Sequence, residues 1–251
     1  MPGIQFRNII FKATLIPSFV TALLLYIMIS LGFWQLDRAE YKANLQSIIE
    51  SRQNIEAIDL NSIDQTNLLE TVDDWLYQPV YTSGIFDHEY QILLDNQVNN
   101  MTAGYSVFTP LKLNNSKAIL VNRGWIAQGK SRAELPDISL NEINTNRAIK
   151  GLVATAPSKG LVLSDMANSY SSWPSVLQYI DINEIETQLG YDLLPMVLII
   201  KNSADSGFQA QEIKINMRSE KHTGYAFQWF ALSLALLIIY IVVNSKRLDK
   251  D

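Results

Sequence analysis

Two uncharged stretches near the ends of the chain constrain it more than anything else. His222 to Val243 reads HTGYAFQWFALSLALLIIYIVV, and from Tyr225 onward it carries no charge for about 19 positions. As a helix that length crosses a hydrocarbon core of roughly 30 Å, because a spanning segment must satisfy its own backbone groups. Ala13 to Phe33 (ATLIPSFVTALLLYIMISLGF) is likewise uncharged and long enough to span. The small residues Ser30 and Gly32 are compatible with a signal-peptide cleavage point, but the apolar core of a signal peptide is shorter, roughly 7 to 15 residues, which favours an uncleaved anchor.

The charges beside these stretches set an expected topology. Arg7 and Lys12 precede the first, and Lys246, Arg247 and Lys250 follow the second. The positive-inside rule therefore puts both termini in the cytoplasm and the middle on the other side. No amphipathic, arginine-rich leader precedes the first span, so the expected location is a bacterial cell inner membrane. The expected divisions are a cytoplasmic tail at 1–12, a transmembrane helix at 13–36, a periplasmic domain at 37–221, a second transmembrane helix at 222–243 and a cytoplasmic tail at 244–251.

Composition excludes several functions. The tails hold five basic residues against two acids, leaving the middle with 15 Lys and Arg against 23 Asp and Glu, net −8. Nucleic acid needs a basic face and is not an expected partner. Cysteine is absent. Disulfides, redox dithiols and thiolate metal sites are excluded with it, and so is a thiol-dependent copper chaperone. Two distant histidines, and no GxSxG or HExxH pattern, leave little from which to build a serine or metal-dependent hydrolase.

The middle reads as antiparallel sheet. Trp75 to Phe86 (WLYQPVYTSGIF) and Glu89 to Gln97 (EYQILLDNQ) are β-rich and predict a hairpin turning at Asp87 and His88. Gly104 to Leu113 and Lys117 to Ile126 flank Asn114, Asn115 and Ser116 and predict a second hairpin. Ala148 to Ala154 and Val176 to Ile180 are further strands, separated by a loop with Pro157, Gly160 and Pro174. Asn183 to Leu189 suits a short helix with Asp181 or Asn183 near its start, and Leu193 to Lys201 is the most apolar strand. Gln46 to Asp74 is polar, acidic and free of glycine and proline, which suits a helical continuation followed by a loose connector. The expected fold is a membrane protein with two transmembrane α-helices flanking an α+β, mainly antiparallel-β, extracytoplasmic domain, with barrel-like closure compatible with the hairpins.

Candidate binding residues cluster at the membrane edges. His222, Tyr225, Ala226 and Trp229 are spaced at three, four and seven, so they share one helical face. A small residue between two aromatic rings beneath an imidazole predicts a shallow flat slot at the interface. An imidazole there can ligate heme iron or simply bond headgroups and backbone. At the far edge of the first span, Trp34, Gln35, Arg38, Tyr41 and Lys42 continue the helical pattern. Arg38 can snorkel to headgroups or bind an anion. In VNRGWI (Val121 to Ile126), Gly124 permits an unusual backbone angle or a close approach, and Trp125 can fill the core.

The segments LGFWQLDRAEYK, YQPVYTSGIF, GYSVFTPLKL, LVNRGWI and HTGYAFQWFAL fall in an order that resembles the surfeit locus protein one family, assembly factors for cytochrome c oxidase. The resemblance covers nearly the whole chain, and VNRGW together with HxxYAxxWF on a terminal span is specific. Family members often have asparagine before the histidine, where this chain has Lys221. The resemblance implies a non-enzymatic inner-membrane protein of the respiratory chain that binds heme a and helps insert it into the oxidase's catalytic subunit, with the heme a synthesis machinery as a further partner. It implies His222 as an axial iron ligand, with Tyr225, Trp229, Trp34, Gln35, Arg38 and Arg123 around the cofactor. His88 is the other imidazole and falls in a predicted turn. On the same reading, the end of the VNRGW strand faces the membrane beside Trp34, Gln35 and Arg38, and Arg123→Ala lowers oxidase assembly while the domain still folds. The alternatives are a membrane scaffold that stabilises an oxidase assembly intermediate without touching heme, and a two-span sensor.

Overall fold

Strand β7 (Ala118–Ala127) shows why the middle of the chain closes on itself. Its residues from Ala118 to Trp125 are all buried, and they alternate between two cores. Ile119 and Val121 join one apolar cluster while Ala118 and Leu120 join another, as the two-residue period of a strand demands. A strand with water on neither side must lie in the wall of a barrel or sandwich. Each fully buried aliphatic side chain contributes about 1.5–3 kcal/mol.

The computed structural model describes residues 4–6, 9–53, 55–63, 72–114, 117–129, 134–139, 145–158, 170, 172–201, 208–211 and 218–247. Arg7, Asn115, Ser116, Gly160 and Lys250, used above for topology and turns, lie outside the described residues. The described chain divides into two compact units, 48–213 and the pair of segments 1–47 and 214–251.

In the first of these units, strands β4 (Pro79–Phe86), β6 (Thr102–Leu113), β7, β8 (Asn146–Ala154) and β10 (Leu193–Ile200) form a closed ring in the order β4–β8–β10–β7–β6. Gly84 to Phe86 pairing with Leu111 to Leu113 completes the closure. Four of the five joints are antiparallel, and β10 runs parallel to β7. Inside lie Val80, Leu111, Ile119, Val121, Val153, Met196 and Leu198, with at least one side chain from every strand of the ring. Strands β5 (Ile92–Asn99), β9 (Ser175–Leu177) and β3 (Ile58–Asp59) extend the sheet beyond the ring. A second cluster covers the outer side of β7 and β10 with Ile185 and Leu189 of an eight-residue helix, Ile182–Leu189. Asp181 caps that helix by accepting from the Asn183 and Glu184 amides, and Gly190 ends it in the left-handed conformation.

Two expectations need correcting. β4 and β5 do not pair; β5 pairs with β6 through Ile92↔Phe108 to Asn99↔Thr102, and β4 pairs with the far end of the same long strand. The tight hairpin turn is at Asn100 and Met101, where both residues have positive φ (47° and 61°), as the commonest two-residue hairpin turns require. Neither Asp87 nor His88 adopts such a conformation, so the chain there makes a wider turn, with the Asp87 amide bonded to Pro110 O. The strand expected from Trp75 begins only at Pro79, because Val72–Trp75 is a helical turn and Tyr77 has φ 66°. The Gly104–Leu113 and Lys117–Ile126 pair forms the expected hairpin, β6 with β7.

The other unit contains two long helices, α1 from Leu15 (Leu15–Gln53 in full) and α4 (Ser219–Asn244), numbered after the short α2 (Val72–Trp75) and α3 (Ile182–Leu189). Only 6% and 11% of their most apolar windows are buried inside the protein. That excludes the core helix of a soluble domain and leaves a bilayer as the solvent for Leu15, Ile16, Phe19, Tyr26 and Val243. Strands β1 (Ile4–Phe6), β2 (Ile9–Phe11) and β11 (Ser245–Arg247) form a small sheet, and the Lys12 amide bonds Asn244 O.

Candidate functional site

Residues of α1 and α4 that face inward recur at three and four. On α1 the partly or fully buried positions include Ser18, Thr21, Leu25, Met28, Gly32, Gln35 and Ala39; on α4 they include His222, Ala226, Trp229, Ser233 and Tyr240. This three-and-four spacing is that of a helix-pair seam, with small residues among the inward positions. A Cβ on Gly32 would stand 2.6 Å from the Phe230 ring, so a larger residue there would force the ring to move. Phe33 meets the same ring edge-on at a centroid distance of 5.4 Å.

His222 lies about two turns before Phe230 on α4 and is 9% exposed. Its Nδ1 is 2.7 Å from Oε1 of Gln35. Its Nε2 has no hydrogen-bond partner among the described residues and is not sealed from the surface. Ala226 is covered, at 1% exposure, so the slot expected between the rings is closed at its floor. Tyr225 is half-exposed and Trp229 partly buried, on the same helix as His222. Trp34 is half-exposed, with the Arg38 guanidinium carbon 5.8 Å from its ring centroid. Arg38 is exposed. Six of the seven candidate residues therefore belong to the helix pair, and two of them, His222 and Gln35, touch.

Arg123 lies in the barrel unit. Val107 pairs with Gly124 and Phe108 with Asn122, which makes Arg123 the extra residue of a β-bulge. The bulge turns its side chain inward, where it is 2% exposed. Its Nη1 donates to Gln91 Oε1 (2.9 Å), Ile138 O (3.2 Å) and Thr109 Oγ1 (3.4 Å), and its cation lies 4.7 Å from the Phe208 ring centroid. Burial, helped by the charge of Arg147, lowers its pKa to about 10. Gly124 has φ +129°, and a Cβ there would meet Gln209 O at 2.6 Å, so it supplies both the unusual angle and the close approach read from sequence. Trp125 fills the core as expected, donating Nε1–H to Gln97 O, while its backbone exchanges two bonds with Gln209. His88 sits in a turn, as expected, and is partly buried.

Sequence spacing missed the seam partners Gly32 and Phe230 and the bond between Ser18 and Tyr240 hydroxyls. Their signal was the alternating three-and-four spacing of small and polar residues along α1. No group of three or more His, Asp or Glu capable of holding a metal ion occurs among the described residues.

The description of the SURF1 family matches residues 22–234. The chain belongs to the SURF1 family. It is 26% identical to the SURF1-like protein of Rickettsia conorii, with 93% of each chain covered, and 27% identical to that of Rickettsia bellii, covering 95% of this chain and 94% of the relative. A shorter similarity, 31% identical over 101 residues, reaches the cytochrome oxidase assembly protein SHY1 of Saccharomyces cerevisiae, covering 40% of this chain and 25% of that protein.

Proposed function

We propose that this SURF1 family member serves in cytochrome c oxidase assembly, holding heme a transiently at the helix pair and passing it to the catalytic subunit. The name of the yeast relative supports the assembly role. The observation that carries the heme reading is the imidazole at the membrane edge with one nitrogen bound and the other without a partner among the described residues. The residues present fit such a cargo. His222 Nε2 is a suitable iron ligand, the half-exposed rings of Trp34 and Tyr225 offer faces to a porphyrin, and Arg38 offers an exposed cation to a propionate.

No covalent bond changes in this reading, so the protein is a chaperone and not an enzyme. The basic residues beside each span support cytoplasmic termini and a periplasmic barrel in a bacterial inner membrane. The test is an absorption spectrum of detergent-solubilised protein from cells that make heme a. A heme a spectrum in wild type that disappears in His222→Ala is the expected result. A colourless wild type would overturn heme binding and favour a scaffold that acts through its exposed apolar helix faces.

A further inference from the structure

The contact between His222 and Gln35 specifies more than proximity. A carbonyl oxygen has no proton, so Oε1 at 2.7 Å from Nδ1 can only accept. The bond between this oxygen and Nδ1 forms with Nδ1–H as the donor, the tautomer that leaves the lone pair on Nε2. We infer that Gln35 is the positioning residue of His222: it holds the imidazole in the Nδ1–H tautomer and in one orientation, with Nε2 presented as the ligand nitrogen. This rests on the heme reading for the identity of the ligand, but not for the tautomer.

The pairing of Nδ1 with a carbonyl oxygen is one that metal-binding histidines share. Such histidines donate their second ring N–H to a carbonyl or carboxylate, which fixes the ring and raises the basicity of the ligating nitrogen. The seam around the pair is immobilised by Gly32 beneath Phe230 and by the buried Ala39, one turn to either side of Gln35. Gln35 itself has no second task among the described residues, since its only recorded side-chain bond is the one to His222.

The chain has two histidines, so 15N-histidine labelling followed by His222→Ala assigns both rings. In nanodiscs without heme, His222 is expected as Nδ1–H in wild type and in Gln35→Glu, which keeps an acceptor oxygen. Gln35→Met, similar in size but with no such acceptor, is expected to lose that tautomer preference. Heme titration should then show affinity about 10- to 100-fold weaker in Gln35→Met and recovered in Gln35→Glu. Bound iron in Gln35→Glu should have a lower reduction potential, because the added negative charge favours the ferric state. An unchanged unfolding temperature for Gln35→Met separates these effects from loss of helix packing. An Nε2–H tautomer in the wild type would overturn the inference, as would equal heme affinity in wild type and Gln35→Met. Wild type that is Nδ1–H yet takes up no heme would overturn the heme reading while leaving the hold of Gln35 on the ring intact.

Discussion

The barrel and the helix pair each bury a conspicuous polar side chain, and they treat it differently. Arg123 is enclosed by Gln91, Thr109, Ile138 and the rings of Phe86 and Phe208, and its neighbours Asn122 and Trp125 are tied to Gln211 and Gln209. That cluster closes the barrel wall against the segment that follows the sheet. His222 has one nitrogen fixed by Gln35 and one with no partner among the described residues. A polar group whose capacity is spent on the fold is an architectural part, whereas one held rigidly with capacity to spare is a candidate for binding. Motif prominence does not distinguish the two; the surroundings of each side chain do.

The largest expected effect breaks the barrel side of this comparison. Arg123→Ala would strand the acceptors of Gln91 and Ile138 and open a void beside Phe208. The barrel should lose about 3 kcal/mol or more, since hydrogen bonds to a buried charge contribute more than neutral ones and their loss leaves desolvated partners. Urea unfolding of the solubilised protein, followed by far-ultraviolet circular dichroism, measures this. The sequence reading expects a folded domain with impaired assembly. Burial in the bulge replaces that expectation with a stability defect. A variant that unfolds like wild type but binds no heme would return Arg123 to the functional set and erase the distinction.

How much of this was readable beforehand depends on the sequence distance over which each contact acts. The Asp181 cap and the β6–β7 hairpin are local, set by residues within a few positions of one another, and the chemistry of those residues announces them. The β5–β6 turn was missed because Met101 stands at a left-handed position where glycine is the usual signal. The parallel pairing of β7 with β10 joins residues about 75 positions apart, and no spacing rule anticipates it. The helix-pair site was half visible. Its residue types and their helical faces followed from periodicity, but which α1 residue meets His222 across 187 positions depends on the register of two spans.

A smaller effect on the same side comes from Gly124→Ala. The backbone at φ +129° is one that side chains rarely adopt, and the new methyl would press on Gln209 O. A cost of about 1–3 kcal/mol is expected for one strained residue, read as a lower urea midpoint with an unchanged slope. Heme binding at the helix pair should persist wherever the protein remains folded. If Gly124→Ala abolished binding at full stability, the bulge would be communicating with the helix pair, and the two units would not be the independent cases drawn here.

The smallest effect sharpens the helix-pair side. The seam has a second polar clasp, the hydroxyls of Ser18 and Tyr240, and here both groups are engaged: Ser18 Oγ also donates to Thr14 O within its own helix, and the Tyr240 ring packs edge-on against Phe11. Nothing at this clasp resembles the free nitrogen of His222. Tyr240→Phe removes the cross-helix bond and keeps the ring. Measured hydrogen bonds between membrane helices average about 0.6 kcal/mol, because the separated helices find other partners, so helix association should weaken by roughly that amount. The heme spectrum should be indistinguishable from wild type. If Tyr240→Phe and Gln35→Met reduced heme binding alike, both would be acting through helix packing, and Gln35 would lose its claim to act on His222 in particular. A spectrum unaltered in the first and weakened in the second would separate a bond that holds two helices together from a bond that aims a ligand.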